Sequence, residues 1–466
     1  MNEVHTNDNA THAGVGTRAR DDCASEPAGQ PTVVFVLPSD KGHFLYTKHI
    51  AKLLSETYAI EVYAPATAAD YAPECASFHP LTDANDDRFD RMTKKAMAVA
   101  SHGSDPDPQK ACDEAEAYYK QHIEEALGEE FAAEFASGKG MHGLQGPREN
   151  LIALKERVLR PDVALVLWDD AHVYRWIGAH CKEFGVPSLA LVPSPLYLWR
   201  PEDSHEMNPD NLDDEPKYGE VEGLRVDKAR VPHAKCYTLF PRLLPLGADE
   251  IPGILAGPIL PDEGVPREQA EAFEASDLKR WIEQGERPVV YVCFGSMLRG
   301  HPLIEEIWPK IMREAADPGK YRMLYAGWVP PGAGVRPGEE EALRLEAWVP
   351  QAAVLAHPTV RCFISHCGAS SVNEAIGNGK PIIALPFFHD QRFNGMKVVE
   401  MGAATACLMK DDFEPAEAKA AIEEALTSAK VKDNLRGLSE EIKACRGLQK
   451  VCDEAERLIA EAKNIK

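Results

Sequence analysis

Five short apolar runs in the second half of the chain, PVVYVCFGS, YRMLYAGW, VRCFISH, PIIALPFF and AATACLM, are each followed by a helical segment. Strands this short and this uniformly apolar are buried on both faces. Their alternation with amphipathic helices predicts a parallel sheet covered on either side. The first half carries the same pattern. TVVFVLPSDKGHFLYTKHIAKLLSETYAIEVYAP reads as a strand, a turn at Gly42, a helix through Leu54 and a second strand over Ile60 to Ala64. PDVALVLWDDAHVYRWIGAHCKEFGVPSLALVPS reads as strand Val163 to Trp168, a helix to about Phe184 and strand Ser188 to Val192. At 466 residues the chain exceeds one core of ordinary size. The expected fold class is therefore α/β, with two doubly wound, Rossmann-like domains facing a central cleft.

The expected division is a polar, disordered N-terminal tail over 1–30, a first domain over 31–258, a Pro- and Gly-bearing linker over 259–286, a second domain over 287–445, and a C-terminal helix over 446–466 that could pack back on the first domain. Within the first domain, residues 81 to 160 form an acidic, mostly helical insert interrupted by GKGMHGLQG, and residues 200 to 235 a long surface loop.

The formal net charge of −23 sets a field that repels nucleic acid and anionic lipid, so any anionic ligand must be held by local chemistry. No apolar run approaches the roughly 18 to 20 residues that span a bilayer, and the start lacks the apolar segment of a secretory signal. No membrane anchor is expected. Eleven cysteines without a CxxC pair suit a reducing compartment, which makes the cytoplasm the expected location.

The junction FISHCGASSVNEAIGNGKP, residues 363 to 381, concentrates the chemistry. After a buried strand, Gly368 permits a tight turn, and Ser370 or Ser371 can cap the helix that follows. Amide donors at such a helix start attract phosphate oxygens, and His366 at the strand end is directed to the same spot. The place suits a diphosphate. A zinc site from His357, Cys362, His366 and Cys367 fits no metal-ligand spacing, because adjacent residues at a strand end point to opposite faces. No metal is expected.

The longer stretch WVPQAAVLAHPTVRCFISHCGASSVNEAIGNGKPIIALPFFHDQRFNG, residues 348 to 395, resembles the nucleotide-sugar signature of the family 1 UDP-dependent glycosyltransferases, the UGT superfamily. Trp348, Pro350, Gln351, His357, His366, Gly368, Ser371, Glu374, Gly379, Pro381, Pro386, Asp390, Gln391 and Asn394 fall at the family's spacing without a gap. The resemblance implies a GT-B-like fold and a UDP-sugar site formed by Ser296, Trp348, Val349, Gln351, His366, Gly368, Ser370, Ser371, Glu374, Asp390 and Gln391. Trp348 would stack on uracil, Gln351 would bond ribose or base, and Glu374 would bond the ribose hydroxyls. His366, Ser371 and the helix-start amides would hold the diphosphate, joined by Ser296 of the FGS that ends the second domain's first strand. Asp390 and Gln391 would bond the sugar, the Gln favouring glucose. The chain departs from the plant pattern in one place, reading Ala369, Ser370 and Ser371 where plant members usually carry Trp-Asn-Ser.

Transfer requires a base for the acceptor hydroxyl. His43 in SDKGHF, just after the first strand at the cleft edge, is the imidazole in position for that work. In the family an aspartate from a later strand orients this base. LVLWDDAH supplies Asp169 and Asp170, and counting back from CKEFGVP puts the family's aspartate nearest Asp170, with the register off by one residue. The expected partners are a UDP-sugar and a small lipophilic acceptor, with Phe44, Tyr46, Tyr197 and Trp199 available to stack on it. The expected reaction inverts the anomeric centre and uses no cofactor beyond the donor. A nicotinamide or flavin oxidoreductase would need a GxGxxG turn, and the first strand runs instead into PSDKGHF. A UDP-sugar-binding protein, epimerase or hydrolase without transfer activity is the other reading of the same donor site.

Overall fold

The computed structural model describes residues 30–38, 41–81, 154–170, 175–194, 232–244, 251, 253–261, 264–296, 298, 302–387, 390–410 and 412–465. The expected N-terminal tail, nearly all of the acidic insert, and the 200–235 loop up to residue 231, with Tyr197 and Trp199, lie outside the described residues.

Two parallel sheets carry the fold. The first comprises β1 (Thr32–Val36), β2 (Ala59–Ala64), β3 (Ala76–Pro80), β4 (Val163–Asp169), β5 (Ser188–Val192), β6 (His233–Tyr237) and β7 (Ile254–Leu255), in the spatial order β3-β2-β1-β4-β5-β6-β7. The second comprises β8 (Val289–Cys293), β9 (Arg322–Ala326), β10 (Leu343–Glu346), β11 (Val360–Ser365), β12 (Ile382–Ala384) and β13 (Ala404–Cys407), in the order β10-β9-β8-β11-β12-β13. Each sheet winds outward from its first strand and then reverses. The reversal falls between β1 and β4 in one sheet and between β8 and β11 in the other. Connections leaving the carboxyl ends of such a strand pair run to opposite sides and open a crevice, where doubly wound folds bind ligands.

Strand alternation divides each domain into two apolar layers. Val33, Phe35, Leu165, Leu167 and Leu191 face one side of the first sheet, while Val34, Val36, Val166 and Trp168 face the other against Leu154, Val158 and Ile177. In the second sheet Tyr291, Phe363 and Ala384 oppose Val292, Ile364 and Leu385 in the same way. These are the near-continuous apolar strands that the sequence displays.

The C-terminal helix Gly447–Ile465 belongs to the first domain's core. Its Val451, Ala455, Leu458 and Ile459 pack with Ile50, Leu54 and Leu167, and Glu456 accepts a 2.6 Å hydrogen bond from the Tyr58 hydroxyl. The stretch 259–286, expected as a linker, contains the helices Arg267–Glu274 and Asp277–Gln284. Ser276 caps the second, accepting from the Lys279 amide at 3.2 Å, and Phe273, Leu278 and Ile282 enter the second domain's core. The tail of this helix is gripped by Arg322, which is 1% exposed and donates to the carbonyls of Trp281 at 2.6 Å and Ile282 at 2.7 Å while lying 4.7 Å over the Trp281 ring. A cation at helix-terminal carbonyls is favoured by the aligned peptide dipoles.

Candidate active site

Both sheet reversals supply side chains to one place. From the first, the turn after β1 forms the short helix Lys41–Phe44, which presents His43, and β4 ends on Asp169. His43 Nδ1 lies 2.9 Å from Asp169 Oδ1; the carboxylate is fully buried and the imidazole 24% exposed. A carboxylate oxygen at that distance accepts a hydrogen bond from Nδ1–H, which keeps the proton on Nδ1 and leaves Nε2 as the basic nitrogen. The Tyr46 hydroxyl donates to the second oxygen, Asp169 Oδ2, at 3.4 Å. Asp170 does not take this role. Successive residues at a strand end point to opposite faces, so Asp170 turns away toward β6 and pairs with Lys235 Nζ at 3.5 Å. Asp169 is therefore the carboxylate paired with His43. Phe44, considered as an acceptor wall, is fully buried against Tyr71.

From the second reversal come the turns after β8 and β11. His366 leaves β11 and stands between two glycines: a Cβ on Gly295 or on Gly368 would lie 2.7 Å from its Nε2. Gly295 also has φ +80°, a conformation costly for any other residue. Gly295→Ala is expected to force the imidazole from this slot at about 1–3 kcal/mol of strain, read as weakened UDP binding in calorimetry. Cys367, with φ +62°, makes the tight turn, its amide held by Ser365 Oγ at 3.0 Å and its carbonyl by Asn394 Nδ2 at 3.0 Å.

The helix Ala369–Gly377 then begins at Gly368, with no side-chain cap among the described residues. The two serines expected to cap it point elsewhere, since they sit inside the first turn rather than at the residue preceding it. Ser370 Oγ donates to the Gly42 carbonyl of the first domain at 3.2 Å, and Ser371 Oγ accepts from Gln351 Nε2 at 3.1 Å. Neither hydroxyl therefore caps the helix start, whose dipole and first-turn amides are of the kind that attracts an anion. Gln351 Nε2 also donates to Glu374 Oε2 at 2.7 Å, and its Oε1 accepts from the buried Tyr291 hydroxyl at 3.0 Å. Gln351 consequently acts as a brace on Glu374. Burial pushes the Glu374 carboxyl up to about 6, opposed by the Gln351 hydrogen bond.

Asp390 and Gln391 stand at the start of the helix Gln391–Glu400. Asp390 Oδ2 accepts from Ser194, just past β5 in the first domain, and from Asn394 Nδ2, both at 3.1 Å. Burial raises the Asp390 carboxyl above its usual range, against the opposing pull of Asn394, Ser194 and the charge of His43. Gln391 is buried and its Oε1 accepts from the Phe387 amide at 3.0 Å. Ser296 is exposed beyond β8, and Trp348 is 58% exposed beyond β10. Val349, expected among the donor-binding residues, buries its side chain in the second domain's core.

Sequence reasoning gave no role to Ser194 or to Tyr291. Ser194 sits at a strand's carboxyl end, the one signal available for it, and Tyr291 reads as plain core. Lys380 is a motif neighbour whose function is internal: its ammonium donates to the carbonyls of His357 at 3.0 Å and Val360 at 2.8 Å, and burial lowers it to about 8.

The family model for UDP-glucoronosyl and UDP-glucosyl transferase matches residues 258–446. UDP-glycosyltransferase UGT5 of Dactylopius coccus is 33% identical over 189 residues, covering 39% of this chain and 33% of that protein. UDP-glycosyltransferase 92A1 of Arabidopsis thaliana is 27% identical over 328 residues, 57% of this chain and 66% of that protein. The aligned part of the chain thus spans between a third and two thirds of the length of these curated relatives. Among solved structures, the glycotransferase of kitacinnamycin superposes with a TM-score of 0.60 at 19% identity, covering 93% of this chain and 100% of that one. UGT71G1 of Medicago truncatula, complexed with UDP-glucose, does so with a TM-score of 0.57 at 16% identity, over 91% and 98%. The architecture is that of the GT-B glycosyltransferases. The family match lies over the β8 to β13 half, with its nucleotide-sugar signature built around the β11 turn, and it is this half, residues 258–446, that is similar to the UDP-glucoronosyl and UDP-glucosyl transferases.

Proposed function

We propose that the chain transfers a hexose, glucose by preference, from a UDP-sugar to a hydroxyl of a small lipophilic acceptor, with inversion at the anomeric carbon and without a metal. The observation that carries this reading is the opposition of a buried-carboxylate histidine, His43 with Asp169, to an uncapped helix start beside His366. The acceptor hydroxyl loses its proton to His43 Nε2 as its oxygen bonds the anomeric carbon. Asp169 holds the imidazole's orientation and stabilises the positive ring that results. The bond from that carbon to the β-phosphate oxygen breaks on the opposite face, and its electron pair leaves with UDP. One displacement inverts the centre. The charge developing on the diphosphate falls where the helix dipole, the first-turn amides and His366 converge, which supports departure without a metal. Glu374, braced by Gln351, suits the ribose hydroxyls. The glucose preference is supported by Gln391 and by relatives such as the DIMBOA UDP-glucosyltransferase of Zea mays, 32% identical over 178 residues.

Calorimetric titration with UDP and UDP-glucose is expected to show saturable binding, undiminished by a chelator; no saturation with either nucleotide would overturn the reading. Uridine isolates the Glu374 contribution because it carries no phosphate. With the carboxyl raised to about 6 and its anion the better acceptor for ribose hydroxyls, uridine binding is expected to be full at neutral pH and to weaken as pH falls through the carboxyl's range. The loss between pH 7 and pH 5 should be about tenfold. Glu374→Gln should flatten that dependence, as measured by ligand-observed NMR.

A further inference from the structure

The helix expected to hold the diphosphate also touches the turn carrying His43. Ser370 Oγ donates to the carbonyl of Gly42, the residue before His43, at 3.2 Å. Three residues on, and so on the same side of the helix, the buried Asn373 accepts from the Phe240 amide of the first domain through Oδ1 at 3.3 Å. Ser439 Oγ fixes the far end of the helix within its own domain, donating to the Gly377 carbonyl at 2.7 Å. One short rigid element thus presents its amino end to the donor cleft and one face to the acceptor domain.

We propose that Ser370 is a positioning residue that couples occupancy of the helix N-terminus to the placement of His43. The hydroxyl reaches across the cleft to the backbone beside the base, so an anion that settles the first turn of the helix also settles the Lys41–Phe44 turn. The Phe240 to Asn373 bond supplies the second point that fixes the helix's rotation against the first domain. Donor binding then tightens the geometry of the base, without any contact between donor and the Lys41–Phe44 backbone. The proposal rests on the UDP-sugar reading of this helix.

Its test needs no acceptor. Hydrogen–deuterium exchange is followed over residues 41 to 47 of the full chain, with and without UDP at saturating concentration. In the unsubstituted protein, UDP is expected to slow exchange of this opposite-domain segment by about fivefold, the low end of coupling between distinct sites. In Ser370→Ala, saturated with UDP at whatever concentration calorimetry shows to be needed, the protection over 41 to 47 should vanish while that over the Ala369–Gly377 helix persists. Ser370→Thr, which keeps the hydroxyl, should retain both. Equal protection of the His43 turn in Ser370→Ala would overturn the proposal, as would UDP binding to the unsubstituted chain with no protection there. Absence of UDP binding altogether would instead remove the donor reading, so the two failures are distinguishable.

Discussion

Replacing His43 by alanine is expected to lower glycosyl transfer by about 10²–10⁴-fold while UDP binding survives. The side chain stands at the reversal of the first sheet, whereas the proposed anion cradle is built from the second, so removing the imidazole deletes the proposed proton acceptor without touching the helix start. The measurement is product formation from UDP-glucose with an acceptor found by mass-shift screening, paired with a UDP titration. Asp169→Asn should move in the same direction. An amide in place of the carboxylate presents an N–H toward Nδ1, favours the wrong tautomer and removes the charge that steadies the protonated ring, which in a related His–Asp pair matters by orders of magnitude. Asp170→Asn should have a much smaller effect, because that carboxylate is turned to Lys235. An unaltered transfer rate in His43→Ala would discard the base assignment, and a larger loss in Asp170→Asn than in Asp169→Asn would reverse the pairing.

Arg322→Met is expected to be the most damaging single change to stability in the second domain. The guanidinium is buried among the carbonyls of Trp281, Ile282, Gly285 and Arg287 and stacks on the Trp281 ring. Methionine fills comparable space but leaves these acceptors without donors, at about 1–3 kcal/mol for each that water cannot reach. A total near 3 kcal/mol corresponds to a fall of about 6–12 °C in the unfolding midpoint of a domain this size. Scanning calorimetry would check it. Arg322→Lys should recover only part of the loss, since one ammonium cannot fork to carbonyls on both sides. A midpoint unchanged in Arg322→Met would show that solvent or neighbouring donors replace the clamp.

Much of this was legible beforehand, for identifiable reasons. Central strands such as β8 and β11 are covered on both faces and so appear as unbroken apolar runs, and the motif from Trp348 to Asn394 marked the second half of the chain, where the family match lies, by residue type and spacing. The edge strands β3, β7 and β10 were not seen. ASFHP, IL and LRLE are polar or very short, because an edge strand is stabilised by its one neighbour and by position more than by its own composition. The two helices within 259–286 were hidden by flanking prolines and glycines, although SDLKRWI carried a cap residue with apolar positions at helical spacing. The choice between Asp169 and Asp170 was beyond sequence altogether. Two adjacent carboxylates differ only in which face of β4 they leave from, and that is set by pairing with β1, where Trp168 lies opposite Val36. The serine roles were missed for a similar reason. Which partner a hydroxyl finds across a cleft depends on how two domains meet.

The placement of the last helix bears on how the protein is made. Residues 447–465 cover apolar side chains that the chain lays down some four hundred residues earlier, among them Ile50 and Leu54. During synthesis the amino-terminal domain therefore emerges with one greasy flank bare, and it stays bare until residues 447–465 have cleared the ribosome's exit tunnel. Folding cannot finish domain by domain in the order of translation, and a polypeptide cut short before residue 447 would carry an exposed sticky surface on a half that is otherwise fully encoded.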